Sequence, residues 1–196
     1  MSARRLMALC PLLLLWPALR QGLESSMALH MLLEFPLLFA AGWAARGLSG
    51  PHRAAAWDWH GLTGACLLLL VSAFWMIPAA LDLALLDGRV AAAKYLGWWI
   101  AGWAMAGGWR RLEPRVALFV GGNLAWMMAT AGLLYQSSPQ RLCVNYLQNE
   151  QVWTGAGLVA GACVLGALLL WRVLSEAARR PQAAGAVKAS AGPKNS

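Results

Sequence analysis

The chain has 196 residues, 60% of them hydrophobic and 12% charged, with a net charge of +8. A soluble domain carries about 25% charged residues, so this composition excludes a soluble globular protein and indicates a polytopic membrane protein. The basic residues lie in short loops and the tail, not along one amphipathic surface. That distribution argues against nucleic acid as a partner and is the kind that orients a membrane protein in its lipid bilayer.

The predicted elements are all helical, and the fold class is an all-α transmembrane helical bundle of about six spans. MSARR is a positively charged start, followed by the apolar run Leu6 to Leu19 with Pro11 and Pro17. That run is short for a span and resembles a signal-peptide core. No small-x-small cleavage site follows it, so residues 1–24 are expected to form a first short span or uncleaved signal anchor. Residues 25–174 form the bundle proper.

The second span is Ser25 to Trp43, SSMALHMLLEFPLLFAAGW, nineteen residues with His30 and Glu34 as its polar exceptions. At helical spacing Met27, His30, Met31 and Glu34 share one face. Pro36 interrupts the helix just below them and leaves the Leu32 carbonyl without its usual partner. The third span runs from about His60 to Leu86, with Pro78 near its far end. LDGR is a turn, and the fourth span covers about Ala91 to Trp109. Pro114 suits the first turn of the fifth helix, which ends near Tyr135. QSSPQRLCVNYLQNE is the longest connection between spans. The sixth span covers about Gln151 to Leu174, where Gly157-x-x-x-Gly161 permits close helix packing. The tail, residues 175–196, is expected to be disordered and cytoplasmic, because from Pro181 it is Ala/Gly/Lys-rich with almost no large apolar residue.

Six spans put both termini on one side. The N-terminus, the second and fourth loops and the C-terminal end hold twelve Lys and Arg, against four on the other face. This bias places both termini in the cytoplasm. His30, Glu34, Met76, Asp82, Lys94 and Cys143 then lie toward the outer face, and His52, Asp58 and His60 toward the cytoplasm. Many of the twelve tryptophans flank the spans, where an aromatic belt lies.

Ionisable groups inside spans normally face protein or a water-filled cavity. Met27, His30 and Met31 offer thioether and imidazole ligands, which suit Cu(I), and Met76, Met127 and Met128 are available partners on other spans. The alternative is that the methionines pack and His30 bonds to a neighbouring helix. Glu34 belongs either to a proton path, to the surroundings of a His30 site, or to a structural hydrogen bond. Asp82 is a second candidate for such a role, or forms an ion pair with Lys94 across the LDGR turn. Cys143 is a loop thiol that a metal relay would use. The other cysteines, Cys10, Cys66 and Cys163, lie in apolar segments and no CxxC occurs, which excludes a loop disulfide framework. The chain has no nucleotide-binding loop, no Ser-His-Asp pattern and no HExxH, so it is not expected to be an enzyme.

MALHMLLEFPLLFAAGW is similar to the HM-containing, proline-kinked helix of CtaG-like proteins, membrane factors for assembly of cytochrome c oxidase. Trp75-Met76-Ile77-Pro78-Ala79-Ala80-Leu81-Asp82-Leu83-Ala84-Leu85 resembles that family's W-H-x-P-x-x-Y-D-x-A-L segment. Glu150-Gln151 with Gly155 and Gly157 is a fainter likeness to its D-Q-x-x-x-G helix start. The match covers roughly spans two to four and the start of six. Met76 stands where the family has a histidine, the family's histidine pair near Ala91 to Tyr95 is absent, and of the presumed metal histidines only His30 carries over. The resemblance implies an integral protein of the bacterial inner membrane and respiratory chain, handling Cu(I) as cofactor. Its partners would be haem-copper oxidase subunits or a copper donor protein. The other reading is a metal-free structural or accessory subunit of a respiratory complex.

Overall fold

The computed structural model describes residues 16–48 and 56–190, and among these every regular element is helical. A short helix α1 (Pro17–Glu24) leads into a π-helical segment (Leu29–Glu34) that continues as α2 (Phe35–Leu48). A 3-10 turn (Ala56–Gly61) precedes α3 (Leu62–Trp75), followed by α4 (Pro78–Leu86), α5 (Gly88–Gly108), α6 (Pro114–Ser137) and α7 (Gln148–Ser190). The apolar run Leu6 to Leu19 lies mostly outside the described residues. Helix α7 continues to Ser190, through the stretch for which composition alone predicts a structureless tail.

Two prolines break the regular pattern, each at the position where it removes a backbone donor. Pro36 cannot bond to Leu32, and its ring would press on the Leu32 carbonyl of an α-helix. The chain responds by widening the preceding turn into the π-helix, which carries His30, Met31 and Glu34 inward. At Pro78 the helix breaks outright. The α3 and α4 axes bend by 80°, and Ile77 sits in an extended conformation between them. The Met76 carbonyl freed at this break accepts a hydrogen bond of 2.9 Å from the Tyr135 hydroxyl.

Three helical stretches are long and apolar enough to cross a membrane: Leu29–Leu48, Pro114–Ser137 and Gln148–Ser175. The bent pair Trp59–Trp75 and Pro78–Leu86 makes a fourth if it counts as one broken span. The expected six are therefore not reached among the described residues. Helix α5 has the length, 21 residues, but Arg89, Lys94 and its glycines and tryptophans lower its apolarity.

The helices form two layers. Helices α2 and α3 each pack against α5, and α6 pairs with α7. The α2–α5 crossing is close enough that a Cβ on Gly42 would collide with the Trp99 carbonyl, and one on Gly102 with the Phe39 carbonyl. In the second layer the backbones of Gly132 and Gly155 meet. Gly157 and Gly161 face the side chains of Leu32 and Met128 instead, so that motif opens room for side chains and does not seat a backbone.

Candidate functional site

Four polar side chains are wholly buried where α1, the π segment and α5 meet the loop before α7: His30, Glu34, Lys94 and, deeper in α7, Gln151. Lys94 is at the centre of the first three. Its Nζ lies 3.0 Å from Glu24 Oε1, 2.9 Å from Glu34 Oε1 and 2.8 Å from His30 Nε2. An ammonium has three N–H donors and no acceptor; it hydrogen-bonds Glu24 and His30 and stands as an ion pair beside Glu34. Arg20 Nε completes the cluster at 2.9 Å from Glu24 Oε2. Tyr95 sets its phenol against the Glu34 carboxylate. The two cations balance the two carboxylates, which is the condition for keeping charge inside a bundle at tolerable cost.

The protonation of His30 follows from its other neighbour. The Tyr146 hydroxyl lies 2.8 Å from His30 Nδ1 and donates to the Glu24 carbonyl at 3.0 Å. Burial, reinforced by Glu24 and Glu34, raises the Tyr146 phenol above its ordinary range, so it keeps its proton. That single proton is committed to Glu24, so Nδ1–H of His30 must donate to the Tyr146 oxygen. Nε2 then carries the lone pair that accepts from Lys94. His30 is a neutral imidazole with its proton on Nδ1.

Tyr146 is held in place by Asp82. The Asp82 carboxylate accepts from the backbone N–H of Val144 at 2.9 Å, from that of Asn145 at 3.3 Å and from Asn145 Nδ2 at 3.0 Å. Gln151 braces the same loop, accepting from Leu142 N–H at 2.8 Å and donating to the Tyr135 carbonyl at 3.0 Å. The expected Asp82–Lys94 pair is replaced by these contacts. The 80° bend at Pro78 turns α4 toward the loop, while Lys94 points into the bundle.

Glu24, His30 and Glu34 each present one ligand atom, all within 4.8 Å of one another, so the group could hold a metal ion. Two oxygens and one nitrogen do not suit Cu(I), which prefers thioether, thiolate and imidazole. The Lys94 ammonium also takes the central position. The proposed copper set His30, Met27, Met31 and Met76 is divided between a polar cluster, which holds His30, and an apolar cavity, which Met31 and Met76 line. Both His30 nitrogens are engaged in the polar cluster, and Met27 is buried, its backbone N–H 3.4 Å from Glu150 Oε2. Met31 and Met76 instead line an apolar cavity together with Met128.

Cys143 is buried with its Sγ 3.8 Å from the Pro78 carbonyl. Burial, with Asp82 beside it, pushes the thiol up to about 12. The thiolate is the form that binds metal or exchanges, and this environment holds Cys143 as the neutral thiol. His60 is exposed in a left-handed turn next to Gly61, outside the cluster.

Glu24, Arg20, Tyr95 and Tyr146 belong to the site without a signal in the sequence that singles them out, and Lys94 pairs with Glu24 and Glu34, not with Asp82. The available signal was Lys94 itself, an ionisable residue within an apolar helix, which requires a buried counter-charge. Comparison with protein-family models, with curated proteins and with solved structures finds no match to this chain.

Proposed function

We propose that this chain is a metal-free accessory membrane protein of a respiratory complex, in which a lysine ammonium takes the place of a metal ion. The observation that carries the reading is Lys94 at hydrogen-bonding distance from all three members of the Glu24, His30 and Glu34 group. The cluster is neutral as it stands. Admitting a divalent cation would require moving the ammonium out and leaving it without its acceptors, which costs several kcal/mol for a buried ion. The respiratory assignment rests on the resemblance of Ser25–Trp43 and Trp75–Leu85 to CtaG-like proteins.

The test is metal analysis of protein expressed with added copper under reducing conditions, beside oxidase activity in cells lacking the protein. The parent should carry no stoichiometric metal, while Lys94→Met should gain a zinc- or manganese-like ion at the opened group. About one copper per parent chain sinks the metal-free reading. Unchanged oxidase activity on loss of the protein removes the respiratory one.

A copper-handling factor for maturation of a haem-copper oxidase is the second reading. It is favoured by the thioethers of Met31, Met76 and Met128 lining one cavity, a ligand type that suits Cu(I). On that reading Met76→Leu lowers copper retention and His30→Ala does not.

A further inference from the structure

The two helix layers leave between them a cavity of about 480 Å³. Its wall includes Phe35, Phe39, Leu68, Leu124 and Met128, and among the described residues no Lys, Arg, His, Asp or Glu side chain lines it. Leu124 and Met128 lie in the middle of α6, and Gly157 and Gly161 near the middle of the apolar part of α7. The cavity is therefore at mid-span depth, where solutes arrive from the bilayer.

Two of its lining residues carry an unmet hydrogen-bonding group. Ser72 Oγ and Trp98 Nε1 are both buried without a partner, their residues 0% and 8% exposed. Buried polar side chains are nearly always paired, and each exception calls for an explanation. The indole N–H is a donor only, and the serine hydroxyl is a donor with acceptor capacity. Both groups accordingly ask for an acceptor. The volume lies within the range of small-molecule sites, about 300–1,000 Å³, and an apolar wall with a few polar groups is the usual make-up of such sites.

We propose that this cavity binds a neutral, membrane-soluble carbonyl compound. Its apolar body lies against Phe35, Phe39 and Leu68, and its carbonyl oxygen accepts from Trp98 Nε1–H and Ser72 Oγ–H. The ligand is neutral because none of the described residues lining the wall carries a charge to compensate one. An acyl ester and a quinone-type ring share this chemistry, and the two are separated by experiment. The inference uses no residue of the Lys94 cluster, and it competes with the copper reading for the same cavity.

The test uses the full chain in nanodiscs of ether-linked phospholipid, which carries no ester carbonyl to compete. Methyl laurate, decylbenzoquinone, dodecane and laurate are titrated, and binding is read by thermal shift and by retention of the probe. One carbonyl probe or both should bind, while dodecane and laurate at the same concentration should not. Tighter binding of the ester identifies a chain-like ligand, and tighter binding of the quinone a ring. Ser72→Ala and Trp98→Phe should each weaken the carbonyl probe roughly three- to tenfold, the effect of one hydrogen bond. Neither should destabilise the free protein, because each removes an orphaned donor, and phenylalanine at 98 retains a ring against Phe35, now stacked at 5.0 Å. Gly161→Leu, which fills the cavity, should abolish binding. The proposal is overturned if dodecane binds as well as the ester. It is equally overturned if the Ser72 and Trp98 variants bind the carbonyl probes like the parent, the donors then serving only water.

Discussion

The ammonium of Lys94 lies 2.8 Å from Nε2 of His30, a residue 64 positions away in the chain. This contact sets the hydrogen-bonding direction along a path from Lys94 through His30 and Tyr146 to the Glu24 carbonyl, each step donating to the next. The imidazole is thereby fixed as a neutral ring protonated on Nδ1. Nitrogen-15 spectra of histidine-labelled protein should show one ring with protonated Nδ1 and unprotonated Nε2, absent in His30→Ala. A His30 ring protonated on Nε2 would reverse the assigned path and the role of Lys94 with it.

Charge balance in the cluster leads to a double-mutant expectation. Lys94→Met leaves two carboxylates facing one arginine, and Glu34→Gln leaves a buried cation in excess. Each single change should destabilise the protein by about 3–5 kcal/mol, the cost of breaking a buried pair. The double variant should lose less than the sum, because residues in one network are not additive. Unfolding in detergent, followed by denaturant titration, measures the cycle. Additive losses would show that Lys94 and Glu34 do not act on each other.

Asp82 supports the site from a distance, by fixing the loop that carries Tyr146. Asp82→Ala removes three acceptor contacts at a solvent-accessible position, so a loss of about 1 kcal/mol is expected. The loop should loosen with it. Hydrogen exchange at Val144 and Asn145 should accelerate, and the His30 nitrogen-15 signals should shift. Unchanged exchange at these amides would count against the tether.

Cys143 gives a pH-dependent readout. Its thiol is raised from 9.0 to about 12, so the folded chain keeps a proton that the unfolded chain loses. This group's contribution to stability is therefore fully present below pH 9 and is lost as pH rises toward 12. In a chain with Cys10, Cys66 and Cys163 replaced by Ser, alkylation at pH 8 should be slow when folded and fast when denatured. Rapid alkylation of the folded chain at pH 8 would contradict the buried thiol.

Orientation is tested at the neighbouring residue. Val144 is 80% exposed, so if both termini are cytoplasmic, as the basic-residue bias predicts, Val144→Cys in the same background reacts with an impermeant thiol reagent added outside intact cells. Labelling only after the membrane is opened would overturn the cytoplasmic placement of the termini.

Several features were legible in the chain because they depend on local order. Apolar runs mark helices, and Pro36 and Pro78 mark the positions where the i to i−4 ladder fails, so the helical class and both breaks could be read directly. The inward face of His30 and Glu34 followed from helical spacing, since residues four apart stay together even through the wider π turn. The partner of a buried charge has no such local signature. Asp82 and Lys94 flank one turn, and proximity in sequence suggested a pair. The 80° bend at Pro78 sends Asp82 to the loop and leaves Lys94 facing Glu24, Glu34 and His30. The methionines were read in the same way, as one stripe with His30. Packing of two helix layers instead places Met31 and Met76 at a cavity with Met128 and leaves His30 among charges. Periodicity tells which side of a helix is inward. What waits there is set by the crossing of helices far apart in sequence, and only the tertiary structure decides it.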